Sequence, residues 1–309
     1  MHVILLDSEY DLRRYPFAAE SPAFMLPMLN QPLIGRTVRW LRGYEFQNIS
    51  LVTHRNVAED FDLAKSVIEH GLQVAPSVRH VLDRARHERR LDEPLLIMRA
   101  NLDPLPDLRV LMRRHVEHRA ALTWVRGHTL HGPGQYTFGP PALAFGAPVF
   151  SRLLLREEHP RPLARLPRLC RKRGLTGLVV EPHRDIVEID TSYALYHANM
   201  NALGLGPLSL AAANDLGLER QGERLWVAED ADIGNVEIDP TGGPVIVGWG
   251  ADIADGAILR GPTVIGEGVS IGKGSCVHRA LLLDSTWLPQ ESFVANAIVS
   301  PRLTARVAV

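Results

Sequence analysis

The fold of this chain is decided by residues 247–283, which read VGWGADIADGAILRGPTVIGEGVSIGKGSCVHRALLL. An aliphatic residue recurs there at every sixth position without a slip: Val247, Ile253, Leu259, Ile265, Ile271, Val277 and Leu283. Small or compact residues follow most of these aliphatics by four positions, as at Ala251, Ala257 and Ser275. So many aliphatic residues in one phase argue against a generic β-sandwich and indicate an internal repeat.

This period resembles the hexapeptide repeat of left-handed parallel β-helices. In such a coil each hexapeptide forms one side of a triangular prism, the aliphatic side chain points inward, and Gly, Asn or Asp favours the corners. The pattern begins at Val227 and Ile233, is interrupted by a predicted loop at 239–244, and resumes one residue early at Leu288 and Val294. With about 18 residues in each coil, we expect about four coils.

Up to about residue 205, short apolar runs alternate with amphipathic segments. Strands are predicted at 2–7, 49–53, 95–98, 121–125, 142–150 and 177–181, and helices around Leu33–Leu41 and Leu108–His115, whose apolar residues fall on one face. This alternation predicts an α/β domain with a largely parallel sheet, and the glycine- and proline-rich residues 127–143 are expected to form a loop. The chain is therefore divided into an α/β domain at 1–205, a connector at 206–224, and a β-helix with a C-terminal tail at 225–309.

Several segments of the α/β part stand in an order typical of one enzyme family. Arg13 and Pro16 follow the first strand, residues 22–27 read PAFMLP, and residues 30–34 read NQPLI. Later segments read LLIMRAN at 95–101, FGAPVF at 145–150 and EIDT at 188–191. In these segments the chain resembles the sugar-1-phosphate nucleotidyltransferases, the sugar-nucleotide pyrophosphorylases of the mannose-1-phosphate guanylyltransferase type. The resemblance implies a Rossmann-like, GT-A-like nucleotidyltransferase domain followed by the left-handed β-helix.

The resemblance assigns the nucleotide-binding loop to four positions: Ser8, Glu9, Asp11 and Arg13. In the family, glycines let backbone N–H groups approach the triphosphate. Here side chains replace the bare backbone, and Asp7, Glu9 and Asp11 place three carboxylates where a polyphosphate would lie. Ala23 stands at the family's phosphate-neutralising lysine, so Arg13 is the retained motif residue and the candidate catalytic group.

The metal ligands that the resemblance implies are altered as well. The first aspartate falls on Asn101, which keeps an oxygen but loses the charge, and the second acid falls on Glu188. Asp103 is a candidate substitute for the first. We predict that magnesium binds weakly or not at all between Asn101 and Glu188, and that no cofactor is needed unless the protein is active.

These losses predict a non-catalytic homologue, a pseudoenzyme that binds a sugar nucleotide or phosphorylated sugar as a regulatory or scaffold protein. It is then expected to form no nucleotide sugar and pyrophosphate from common substrates. The alternative is an active nucleotidyltransferase that joins a nucleoside triphosphate to a sugar-1-phosphate or similar phosphate with rearranged contacts, and magnesium would then serve it. A minor alternative is a β-helix acyltransferase with His278 as the general base.

Composition limits the partners. The net charge is -1, with 46% hydrophobic and 22% charged residues, so no global field favours nucleic acid or a membrane surface. No membrane span or signal peptide is apparent in the sequence, and Cys170 and Cys276 form no disulfide framework, so we expect a cytoplasmic protein.

Two other groups of residues are given structural interpretations. The pairs His115/His118 and His128/His131 lack the further ligands that a metal site needs. The arginines between 152 and 173 are interpreted as a solvated helix face rather than an anion site.

The end of the chain suggests an assembly role. Residues 298–309 are apolar and out of hexapeptide register, and Trp249 and Trp287 are too large for the interior of a narrow prism. We predict that this tail caps the last coil or packs against a second subunit, and that the protein is a homo-oligomer, or the partner of an active paralogue, through the β-helix. The alternative is a monomer whose tail folds back over the tryptophans.

Overall fold

A computed structural model describes residues 1–7, 16–19, 21–146, 148–155, 162–181, 185–204, 217–222, 224–239 and 241–307. The predictions made for Ser8, Glu9, Asp11 and Arg13 lie outside the described residues, as does most of the predicted connector at 206–224.

The N-terminal part alternates strands and helices. Its strands are β1 His2–Leu6, β2 Pro27–Met28, β3 Gln31–Pro32, β4 Ile49–Val52, β5 Gln73–Ala75, β6 Leu95–Arg99, β7 Leu102–Asp103, β8 Leu122–Gly132, β9 Gln135–Gly146, β10 Gly177–Val179 and β11 Val187–Glu188. Its helices are α1 Leu33–Gly43, α2 Phe61–Glu69, α3 Val78–His87, α4 Leu108–Glu117, α5 Pro148–Leu155, α6 Pro162–Lys172 and α7 Ser192–Gly204, and two 3₁₀ turns lie at Pro16–Ala19 and Ala23–Met25. The fold is thus mixed α/β, as predicted.

The main sheet has the strand order β5-β4-β1-β6-β9-β8-β11-β7, with β10 also paired to β8. Strands β5, β4, β1 and β6 are parallel, whereas β9 runs antiparallel to both β6 and β8. The strands β1 and β6 read as continuous apolar runs because helices cover both faces of the sheet. The predicted apolar stripe of α1 is buried in one of the two resulting clusters.

Two sequence predictions are corrected in this region. Residues 127–143 were expected to form a loop, but they belong to the long hairpin of β8 and β9, which turns at residues 133–134. The strand predicted at 142–150 ends at Gly146, and α5 begins at Pro148. The glycines and prolines of this region are accommodated at register irregularities, such as those after Val125 and Leu130, rather than in a loop.

The C-terminal part consists of short strands. They are β12 Leu218–Arg220, β13 Leu225–Ala228, β14 Asp232–Ile233, β15 Glu237–Asp239, β16 Val245–Val247, β17 Asp252–Ile253, β18 Ile258–Arg260, β19 Thr263–Ile265, β20 Ser270–Ile271, β21 Cys276–Leu282, β22 Trp287–Leu288, β23 Phe293–Val299 and β24 Thr304–Arg306. Parallel pairing arranges most of them in three stacks, β13-β16-β19-β21, β14-β17-β20-β22 and β15-β18-β21-β23. We call this part the strand coil.

The inward positions follow the predicted six-residue phase up to Val277. Val247, Ile253, Leu259, Ile265, Ile271 and Val277 are buried together in one cluster. The prediction for Leu283 is wrong: Leu282 occupies the inward position, and Leu283 belongs to a second cluster that also contains residues of α7. The slip occurs at Arg279, where a left-handed backbone (φ 48°) turns β21 around a corner and shortens the next repeat, so that Ile265 pairs with Leu282.

The tail covers part of the last coil. Strand β24 pairs antiparallel with β23, so the chain after Val299 folds back on the coil, which both the capping prediction and its monomeric alternative allow. This fold-back does not cover the outward tryptophans, since Trp249 is 41% exposed and Trp287 is 69% exposed. None of the described helices has the length and apolar character needed to cross a membrane.

A shared core joins the two parts of the chain. Phe17, Tyr196 and Met28 pack in one cluster with Ile246 and Leu281 of the strand coil. The Tyr196 hydroxyl also donates a hydrogen bond of 2.8 Å to the Arg279 carbonyl.

Candidate functional site

Sheet topology indicates where a ligand would bind. From β1 the strand order proceeds through β4 to β5 on one side and to β6 on the other. In open α/β sheets, ligands bind outside the carboxyl ends of the strands at the place where the order reverses. Here that place is the edge where β1 ends before Asp7 and β6 ends before Ala100 and Asn101, which we call the strand-end site.

The structure brings the two predicted metal ligands to this edge. The Asn101 amide donates a 2.9 Å hydrogen bond to the Ile189 carbonyl, and the Ile189 N–H donates a 2.8 Å bond to the Asn101 carbonyl. In the same antiparallel ladder Glu188 pairs with Leu102. Asn101 is 1% exposed, so its side chain holds two chain segments together instead of projecting into open space.

Arg99 neutralises Glu188. The Arg99 Nε atom lies 3.4 Å from Glu188 Oε1, and the two side chains are only 14% and 13% exposed. A guanidinium therefore takes the place that a metal ion would need beside this carboxylate. Arg99 is not among the residues that the sequence motifs indicate, although its position at the end of β6, two residues before Asn101, is the signal that points to it.

The remaining acids of the edge also have protein partners. Arg36 donates a 3.3 Å hydrogen bond to Asp103 Oδ1, yet burial raises the pKa of Asp103 above its usual value because the guanidinium offsets only part of the desolvation. The Thr129 hydroxyl donates to Asp190 at 3.1 Å, and the Thr53 hydroxyl donates to Asp7 at 2.8 Å.

These residues do not fit a magnesium ion. Magnesium requires near-octahedral oxygen ligands and is usually held by one or two carboxylates. At this edge Asn101 presents its amide nitrogen to a carbonyl, Glu188 is paired with Arg99, and Asp103 is paired with Arg36. In the part of the chain that is described, no group of three or more His, Cys, Asp or Glu residues is placed to hold a metal.

The other residues that the sequence indicated lie in the core or in the strand ladders. Ala23, at the position of the family lysine, is fully buried in the shared core. His115 is buried on α4, where it hydrogen-bonds Thr123 and contacts the Phe145 ring edge-on, and burial lowers its pKa. His278 lies on β21, where its backbone pairs with Arg260 and Ala295 of the adjacent coils.

No protein-family model matches this chain, and no curated protein matches it significantly.

Proposed function

We propose that this chain is a non-catalytic homologue of the sugar-1-phosphate nucleotidyltransferases. It consists of a Rossmann-like, GT-A-like domain followed by a left-handed β-helix. It binds a sugar nucleotide or phosphorylated sugar at the strand-end site and acts as a regulatory or scaffold protein in the cytoplasm. Free cysteines at Cys170 and Cys276 are consistent with that reducing compartment.

The Arg99–Glu188 ion pair is the observation that carries this proposal. Nucleotidyl transfer with magnesium needs carboxylates free to neutralise the ion and the phosphates. A carboxylate already paired with a guanidinium in a partly desolvated position supplies little net charge for that purpose. The same edge can still bind a ligand by hydrogen bonds, which requires no metal.

The strand coil supports the β-helix part of the proposal. Its strands stack in three parallel series, and Asp252, for example, pairs with Ser270, 18 positions further on. The insertion at 239–244 lengthens an early repeat, since Trp226 pairs with Ile246, 20 positions on. The left hand of the coil is part of the proposal and is inferred from the hexapeptide phase.

The second candidate function is active nucleotidyl transfer. It is favoured by the acids that the structure gathers near the strand ends, above all Asp103, Asp190 and Glu188. In this alternative Glu188, Asp103 and Asp190 are the residues that would hold magnesium, which would supply positive charge to the phosphates, and Arg99 would contact the triphosphate.

A paired assay separates the two functions. Pyrophosphate release is measured with a panel of nucleoside triphosphates and sugar-1-phosphates, and thermal shift is measured with triphosphates and sugar nucleotides, each with and without magnesium. We expect no turnover and a thermal shift with a sugar nucleotide that does not depend on magnesium. Turnover at enzymatic rates that Glu188→Ala abolishes, and that the exposed control Glu219→Ala retains, would establish the enzyme and reject the proposal.

A further inference from the structure

A cavity of about 610 Å³ lies between α4 and the segment of chain that includes β10. The helix lines it with Val110, Leu111, Arg114 and His118, and the loop that leads into α4 also contributes to it. Val125 of β8, in the sheet beneath α4, lines it as well. The volume falls within the range of small-molecule sites, about 300–1,000 Å³.

Apolar side chains make up most of the lining. Many of them are half-buried, so part of their surface stays in contact with water. These half-buried residues are Pro104, Leu105 and Pro106 before the helix, Val110 on it, and Leu178 and Val180 on the segment that includes β10. Because apolar surface in water is unfavourable, an apolar ligand body that covers these side chains gains free energy on binding.

The charges of the cavity are separated along α4. Asp107 begins the helix, where its carboxylate accepts hydrogen bonds from the Arg109 N–H at 2.9 Å and from the Tyr44 hydroxyl at 3.1 Å. Arg114 lies seven positions further on, roughly 10 Å along a helix, and His118 follows one turn later at the C-cap. The C-terminal half of this helix face therefore supplies cationic and N–H donor groups next to an apolar lining.

Arg114 is the cation that a ligand can engage here. Its neighbour Arg113 pairs with Glu117, whereas no ion pair among the described residues engages Arg114. A guanidinium can bind a carboxylate through two parallel hydrogen bonds. Glu181 also lines the cavity and repels a second anionic group, so the cavity suits a ligand with one negative charge placed at Arg114.

From these features we propose that the cavity binds an amphipathic carboxylate, a molecule with an apolar body and one carboxylate, such as a medium-chain fatty acid. The body covers the half-buried apolar residues. The carboxylate accepts hydrogen bonds from the guanidinium of Arg114, and the imidazole of His118 supplies a further donor.

This ligand differs from the one proposed for the strand-end site. A sugar nucleotide carries many hydroxyls and phosphate oxygens, and a mainly apolar lining offers these groups few hydrogen bonds. None of Asn101, Asp103 and Glu188 lines the cavity. The two sites are therefore separate, and this inference does not rest on the proposed function.

Isothermal titration calorimetry with octanoate tests the proposal on the full chain at neutral pH, below the concentration at which octanoate forms micelles. We expect saturable one-site binding. Octanol has the same chain without a charge, and octyltrimethylammonium carries the opposite charge on that chain. Both should bind at least about tenfold more weakly, because neither can form the charge-assisted pair with Arg114.

Two variants with matched controls locate the site. Arg114→Gln should weaken octanoate binding by about tenfold, whereas Arg86→Gln, an exposed arginine in the last turn of α3, should not change it. Val110→Trp should abolish binding by filling the cavity. Val116→Trp lies on the same helix, at a position that is 72% exposed and outside the cavity, and should bind as the wild type does.

Three results would overturn the proposal. The first is the absence of saturable heat with octanoate. The second is binding of octanol or octyltrimethylammonium as tight as that of octanoate, because the cavity then does not select an anion. The third is an Arg114→Gln variant that binds octanoate as tightly as the wild type; this variant changes an exposed side chain, so its result does not depend on whether Val110→Trp folds.

Discussion

Arg99 and Glu188 illustrate how single residues set the properties of the strand-end site. Each charge is largely withdrawn from water, and each compensates the other across 3.4 Å. Removing one partner of such a pair leaves an uncompensated buried charge, which costs more than the pair itself contributes. The pair therefore contributes to the stability of this edge and neutralises the charge of Glu188.

The first prediction concerns this pair. Arg99→Met should lower the free energy of unfolding by about 3 kcal/mol, since Glu188 then loses its guanidinium partner in a largely buried position. Adding Glu188→Gln to that variant should restore part of the loss. Denaturant unfolding measures both effects. Arg113→Met is the control, because its pair with Glu117 is largely exposed and should contribute less than about 1 kcal/mol. Equal losses at Arg99 and Arg113 would contradict the prediction.

The second prediction concerns Asp103 and pH. Its pKa in the folded protein lies above the usual value of 3.8, mainly because of burial. Ionisation therefore destabilises the fold: the cost is absent below 3.8, develops up to the raised folded pKa, and is constant above it. Since Asp103→Asn does not ionise, its free energy of unfolding relative to the wild type should rise across that window. Urea unfolding of both proteins at a series of pH values measures this difference, and a flat or falling difference would disprove it.

At the scale of elements, the β2–β3 hairpin connects the parts of the chain. Leu29 and Asn30 both have positive φ, as a two-residue hairpin turn requires. Asn199 of α7 binds the Leu29 N–H, and Asn30 binds the strand coil at Ile265. Gly248 permits this close approach, because a Cβ atom there would lie 2.8 Å from the Asn30 amide nitrogen.

The third prediction follows from this turn. Asn30→Ala should lower the free energy of unfolding by about 2 kcal/mol, because alanine both strains the left-handed backbone and loses the bond to Ile265. Asn30→Gly should lose only about 1 kcal/mol, since glycine adopts positive φ without strain. Thermal or denaturant unfolding distinguishes the two. If both variants lose the same free energy of unfolding, the left-handed backbone conformation at Asn30 makes no measurable contribution to stability.

At the scale of the whole molecule, the end of the strand coil presents apolar surface. Trp287 is 69% exposed and Phe293 is 74% exposed, on strands β22 and β23 of the last coil. Strand β24 pairs with β23, whereas β22 lies at the edge of its stack. Such an edge with large exposed side chains favours association with another chain.

The fourth prediction is that the protein is an oligomer through this end. The double variant Trp287→Ser/Phe293→Ser should be monomeric at micromolar concentration in light scattering, whereas the wild type associates. Val116→Ser is the control, because Val116 is similarly exposed but lies on α4 of the α/β part. A monomeric wild type, or a double variant that associates as the wild type does, would show that the assembly role is wrong.

The sequence by itself determined the features that depend on local periodicity. The six-residue phase predicted the buried positions from Val247 to Val277, and the apolar stripe of α1 predicted its buried face. These predictions hold because the periodicity of side-chain direction in a repeated or helical segment does not depend on distant partners. The resemblance also directed attention to Asn101 and Glu188, which the structure places side by side in the ladder of β7 and β11.

Only the tertiary structure decided which groups meet across long stretches of chain. Arg99 pairs with Glu188, 89 positions away, and Asn30 reaches Ile265, 235 positions away. Leu283 leaves the predicted phase because the left-handed backbone at Arg279 turns the chain one residue early. Most of residues 127–143 form strands because β8 and β9 pair with each other. The free energies of ion pairing, burial and strand pairing depend on contacts between residues that are distant in sequence. Local sequence patterns do not show which residues make those contacts.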